Sequence, residues 1–141
     1  MGYSEWFNKH ADKHKKIVEK LQKKGLSKEQ IIEYFDFDNM KEKEIKFCPL
    51  YAKDKKCHDM ESLNCYICAC PNFRFNDDGI KQVDKKTQFS FCNINSKDGR
   101  QGVYGEKIHQ DCSRCGVPHH LEYVQKHFEY DWKVMMRACS L

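Results

Sequence analysis

Apolar positions are spaced very differently along the chain, and the spacing divides it into three zones. In residues 1 to 46, Phe7, His10, Ala11, His14, Ile17, Val18 and Leu21 recur at three- and four-residue steps on a lysine-rich background. That period predicts an amphipathic helix from an N-cap at Ser4 to about Lys24, with Gly25 as its stop. Ser27-Lys28-Glu29-Gln30 reads as a capping box opening a second helix that contains Ile31, Ile32, Tyr34 and Phe35. Asp36 to Asn39 are expected to end it. From residue 47 to 116 the helical period is lost. Asp77-Asp78-Gly79, Lys97-Asp98-Gly99 and Gln101-Gly102 mark turns, and Gln88 to Cys92 alternates like one short strand. From 117 to 141 a stripe of Leu121, Val124, Phe128, Trp132 and Met135 predicts a single closing helix beginning at Pro118.

The expected fold is therefore a small α+β unit stabilised by metal. A loop-rich cysteine core with short hairpins would lie between N-terminal helices and a C-terminal helix packed on it. The organisation expected is a helical N-terminal extension over 1–46 and a cysteine-rich metal-binding domain over 47–141, together forming one compact unit.

Composition sharpens this picture. Of 141 residues, 40% are hydrophobic and 33% charged, so the apolar interior is thin and an added constraint is expected. Net charge is +4, and only Arg74, Arg100, Arg114 and Arg137 among the 25 basic residues are arginines. Nucleic-acid surfaces lean on arginine forks, so this balance argues against nucleic acid and leaves another protein as the expected partner. The first residues contain no apolar leader segment, and no stretch approaches the ~18 apolar residues of a membrane span. A cytoplasmic protein without membrane contact is the expectation.

The cysteines then set the chemistry. Eight of nine lie between Cys48 and Cys115, in the order Cys48-x8-Cys57-His58, Cys65-x2-Cys68-x-Cys70-Pro71, Cys92 and Cys112-x2-Cys115-Gly116-x2-His119. Stable disulfides are rare in a reducing compartment, and Cys68 and Cys70 are too close in sequence for ordinary bridges. Metal ligation is the leading expectation. Each Cys-x2-Cys turn can chelate one ion, and Gly116 is expected to let the backbone bend toward sulfur. A helix starting just afterwards would present its positive end to the thiolates. Cys70 is expected to project to a different side from Cys65 and Cys68. The candidate ligands are Cys48, Cys57, His58, Cys65, Cys68, Cys70, Cys92, Cys112, Cys115 and His119. His58 and His119 have a rival role, donating hydrogen bonds to ligands, and Asp111 and Ser113 are candidates for that supporting layer. Cys139 is read as a spare thiol outside the framework, and His10 with His14 as surface or core-edge residues.

The phrases Cys57-His58, Asn64-Cys65-Tyr66-Ile67-Cys68-Ala69-Cys70-Pro71 and Asp111-Cys112-Ser113-Arg114-Cys115-Gly116-Val117-Pro118-His119 resemble the cysteine-rich small domain family of bacteria and archaea. The resemblance covers about residues 45 to 127. It implies metal binding and no particular reaction. Cys92 precedes Asn93-Ile94 where that family usually has Gly-Gly, and Cys48 lies farther from the Cys-His pair than its counterpart does.

Zinc at one or two sites, in a structural or accessory interaction module, is the first functional reading. An iron–sulfur cluster with an electron-transfer or redox-sensing role is the alternative, although the spacing departs from the ferredoxin run. A metal-dependent enzyme acting on a small anionic substrate, with Arg100, Lys107, His109 and Asp111 near the second knuckle, ranks below both. The balance leans against catalysis. Base stacking by Tyr66, Phe73, Phe75 and Phe91 is the weakest alternative.

Overall fold

The computed structural model describes residues 2–141 as a small α+β fold of helices and two sheets. Helix α1 spans Tyr3–Lys23 and buries His10, Ala11, His14, Ile17, Val18 and Leu21, the stripe that its sequence predicts. Its N-cap is Gly2, not Ser4. Ser4 lies inside the helix, and its backbone N–H donates to the Asp77 carboxylate at 3.2 and 3.3 Å. A carboxylate from a distant loop thus meets an orphan N–H where a local side chain was expected. Gly25, at φ +77°, ends the helix in the left-handed conformation that glycine adopts most readily.

Helix α2 (Lys28–Tyr34) carries the full capping box: the Ser27 hydroxyl accepts from Gln30 N at 3.2 Å and the Gln30 side chain accepts from Ser27 N at 2.8 Å. Beyond it, Asp36 stands at the N-cap position of a third helix, α3 (Phe37–Lys43), without a side-chain capping bond, where the sequence predicts an end. Only Phe37 and Met40 of that helix are buried, too short a stripe to be read by period.

The central zone holds six short strands: β1 (Phe73–Phe75), β2 (Lys81–Val83), β3 (Lys86–Gln88), β4 (Ser90–Cys92), β5 (Arg100–Tyr104) and β6 (Lys107–Asp111). One sheet has the order β2-β3-β6-β5, parallel only between β3 and β6, and β1 pairs antiparallel with β4. The expected single strand over Gln88 to Cys92 is therefore two strands in two sheets. Phe89 is the pivot: its N–H donates to Ile108 O at 2.9 Å, while its carbonyl accepts from Asn76 N at 3.0 Å. Buried Ser90 joins the sheets through its hydroxyl, which accepts from Gln110 N at 2.7 Å.

The closing helix is also broken. A 3-10 turn at Val117–His119 holds Pro118, α4 spans Leu121–His127, and α5 spans Trp132–Met135. Between the helices, Phe128 is extended (φ −57°, ψ 130°) and stacks on Tyr66 with ring centroids 4.7 Å apart. The Tyr66 hydroxyl donates to Glu129 O at 2.6 Å, and Asp131 caps α5 by accepting from Lys133 N at 3.0 Å. These tertiary and capping bonds outweigh the helical period. Leu121, at 51% exposure, turns outward, whereas Val124, Trp132 and Met135 are buried as expected.

One apolar cluster joins α1, α2, Phe47, Tyr66, Ile67, Phe75 and Trp132. His10 and His14 lie inside it, only 3% and 0% exposed, which corrects their expected place at the surface or core edge. His14 Nε2 donates to Tyr66 O at 3.0 Å, and His10 stacks on Trp6 at 4.7 Å. Among the described residues no helix is long and apolar enough to cross a membrane.

Candidate metal centre

Asn64 anchors the centre. Its side-chain N–H groups donate to Ile32 O at 2.8 Å and Asp36 Oδ1 at 2.9 Å, and its side-chain oxygen accepts from Tyr66 N at 2.9 Å. Its backbone N–H donates to His119 O at 3.0 Å, and its carbonyl accepts from His119 Nδ1 at 2.8 Å. The second bond directs the other nitrogen of buried His119, Nε2, toward Cys57 Sγ, 3.6 Å away.

His58 reaches the same sulfur, with its ring centroid 4.9 Å from that of His119. Its Nδ1 is 3.0 Å from Cys57 Sγ, and its Nε2 donates to Cys112 O at 3.0 Å. Ligand atoms of Cys57, His58 and His119 all lie within 4.8 Å of one another, the only group so close among the described residues. Both imidazoles are oriented by carbonyl acceptors, a common arrangement around metal-ligating histidines. Burial, first among the causes, holds His119 down to about 4, so at neutral pH it is an uncharged donor.

The three residues lie on the wall of a cavity of about 450 Å³ together with Cys68, Cys70, Cys92, Cys112 and Cys115. Cys48, half-buried, and Cys65, buried, do not line it. They sit on the Cys57–Cys68 side: burial pushes Cys65 up to about 12, and the charges of Cys57 and Cys48 add to the rise. A second group of thiols gathers around Cys112, which burial pushes up to about 11, helped by Cys115, Cys70 and Cys92. All nine cysteines are free thiols.

Local backbone explains this division. Ala69 stands in the left-handed region at φ +64°, between Cys68 and Cys70. In the second knuckle, Cys115 N donates to Cys112 O at 3.0 Å. Asp111 accepts from Ser113 N at 2.9 Å and from Arg100 Nε at 3.0 Å, so it braces the turn. Gly116 needs no unusual backbone, with φ −91°. What it supplies is room: a Cβ there would lie 2.7 Å from Met60 Sδ. The expected helix dipole is also displaced, because the 3-10 turn intervenes before α4.

Three contributors escaped the sequence reading. Asn64 was visible only as the neighbour of Cys65. Ser96 links two thiols, its N–H donating to Cys92 Sγ at 3.5 Å and its hydroxyl lying 3.2 Å from Cys115 Sγ. Cys139 is not peripheral: it is 2% exposed, lines the same cavity and points its sulfur at Cys70 O, 3.6 Å away. No spacing signal connects it to the other cysteines.

Of the groups considered for an anionic substrate, Arg100, Asp111 and His109 are otherwise engaged, and Lys107 is exposed. Arg100 is paired with Asp111, and His109 Nδ1 lies 2.5 Å from the Tyr3 hydroxyl while its ring stacks on Phe89. Tyr66 and Phe75 are buried and present no face to a base. On α1, Lys9 pairs with Glu5, Lys15 with Glu19, Lys20 with Glu44, and Lys13 donates to Phe47 O.

Comparison with protein-family models, curated proteins and solved structures finds no match to this chain.

Proposed function

We propose that this chain is a metal-binding module that takes zinc through its cysteines and histidines and serves as a structural or accessory unit for another protein. The observation that carries this reading is the convergence of Cys57 Sγ, His58 Nδ1 and His119 Nε2, with the far nitrogen of each imidazole held by a carbonyl. Sulfur and imidazole nitrogen are the donors zinc prefers. The likeness to the cysteine-rich small domain family points the same way. Cys68, Cys70, Cys92, Cys112 and Cys115 on the cavity wall, with Cys48 and Cys65 behind it, supply thiols for a second ion.

Buried thiols support this in another way. Without a cation, Cys65 and Cys68, both raised to about 12 mainly by burial, hold their protons at neutral pH. A dication would displace those protons and remove the cost of clustering the sulfurs. Metal uptake should therefore release acid and weaken as pH falls. Bound zinc would act here as a cross-link between loops, worth on the order of 10 kcal/mol in small domains.

An iron–sulfur cluster is the second reading, favoured by the number of thiols facing one cavity of about 450 Å³. Metal and acid-labile sulfide content, with a visible spectrum on protein purified without air, separates the two. Zinc in a colourless protein supports the first reading. Iron with matching sulfide overturns it.

A further inference from the structure

We propose that an ion held by Cys57, His58 and His119 keeps one coordination position for a small anion arriving from solvent. This rests on the metal-binding reading above and adds a ligand to it.

Within 4.8 Å the donor group numbers three, and the Cys48, Cys65 and Cys68 thiols stand farther out. Among the described residues, no fourth Cys, His, Asp or Glu donor joins Cys57, His58 and His119 within 4.8 Å. Zinc sites with three protein ligands characteristically complete a tetrahedron with an exogenous ligand. Charge then selects the class of that ligand. Carbonyl acceptors hold an N–H on His58 Nε2 and His119 Nδ1, at 3.0 and 2.8 Å, so each imidazole can present a lone pair to the ion while remaining neutral. Two neutral imidazoles and one thiolate leave a dication with about one unit of positive charge. A four-thiolate site would instead be anionic and would repel a further anion.

Access is provided on the solvent side. Cys57 is exposed, and the Cys57-His58 dipeptide lines a second hollow of about 720 Å³ beyond the thiol cavity. Its wall carries Lys41, Lys55 and Lys56 beside Asp38, Asp54 and Asp59, and Lys41 is paired with Asp54 at 2.7 Å and Asp38 at 3.8 Å, which leaves Lys55 and Lys56 facing Asp59. Lys56 Nζ is tied to Met60 O at 2.9 Å and Glu61 O at 2.6 Å, which fixes a positive charge in the loop that follows the dipeptide. The dipeptide is thus a partition between thiol-rich cavity and polar groove. A small anion, hydroxide or a carboxylate-sized group, can approach from the groove without entering the cavity.

The test is cobalt(II) substitution of the full chain, followed by azide titration in the visible spectrum. A saturable change in the cobalt bands is expected. In His58→Gln, with folding checked by circular dichroism, cobalt affinity at this site should fall about tenfold or more, and the azide response should fall with it. His119→Gln provides a second variant with the same expected direction. Cobalt uptake with a four-thiolate spectrum indifferent to azide would overturn the open position while leaving metal binding intact. An azide response unchanged in both folded variants would overturn its assignment to these residues. Failure to take up cobalt or zinc at all would remove the metal-binding reading, and this inference with it.

Discussion

The helical side and the cysteine-bearing side of this molecule are held in opposite ways. On the helical side, Val18, Leu21, Ile31, Ile32, Phe35, Met40 and Trp132 are almost wholly enclosed, and apolar burial suffices to order them. On the other side the strands are three to five residues long, and Val103 and Tyr104 of edge strand β5 are 56% and 60% exposed. There the closely gathered groups are thiols and imidazoles. Ordinary burial stabilises one side, and the other collects donors that repel or strand one another unless a cation joins them. Tyr66 and Asn64 connect the two, because each lies in the cysteine loop and is enclosed by the helices.

Removing metal should break this contrast most strongly. With zinc chelated, residues 86–115 are expected to lose amide protection by up to the order of 10 kcal/mol, while α1 and α2 keep most of theirs. Uniform loss along the chain, followed by hydrogen exchange, would contradict a two-sided molecule. Trp132→Ala should cost about 3–5 kcal/mol, read from the denaturant midpoint. It acts on both sides, since the indole is enclosed in the helical core and its N–H donates to Cys68 O at 3.1 Å.

Acid acts on both sides, through His10 and His14 in the helical core and through His119 at the candidate centre, which burial lowers to about 4. Burial, the largest cause for each, lowers His10 to about 3 and His14 to about 4 from an ordinary 6.5. Between those values and 6.5 the unfolded chain binds more protons than the folded one. Stability is thus fully present above pH 6.5 and falls below it, by about 1.4 kcal/mol per pH unit for each histidine. Metal-free protein should show this loss, and His14→Gln should reduce its slope, measured by urea unfolding from pH 7 to 4.5. The smallest effect is expected at Ala69. Relieving its positive φ with glycine should stabilise by about 0.5–1 kcal/mol in a thermal melt, and a loss would mean that the methyl group packs usefully.

What the sequence made legible was local. The capping box at Ser27 and Gln30, the α1 stripe and the left-handed stop at Gly25 all depend on neighbours within a turn or two. The misread elements depend on distant partners. Asp77 replaces Ser4 at the start of α1, Tyr66 holds open the break between α4 and α5, and Phe89 divides its strand by bonding to both Ile108 and Asn76. At the candidate site the Cys-x2-Cys turns and the Cys57-His58 pair were readable from their short spacings alone. The place of Cys139 and the bracing by Asn64 were not, since neither leaves a periodic trace. His10 and His14 were misplaced for a related reason: the helical period gives a face, and only packing by Trp6, Phe35, Phe47 and Tyr66 shows how deeply that face is enclosed.

The bonds of Asn64 also make the candidate centre audible at a distance. The amide that orients His119 through its carbonyl grips Ile32 O through its side chain, within α2. A ligand entering or leaving beside His119 should therefore register in the amide resonances at the end of that helix, which touches no ligand. Resonances of Phe35 and Asp36 would then serve as a gauge of occupancy, read from the edge of the helical core.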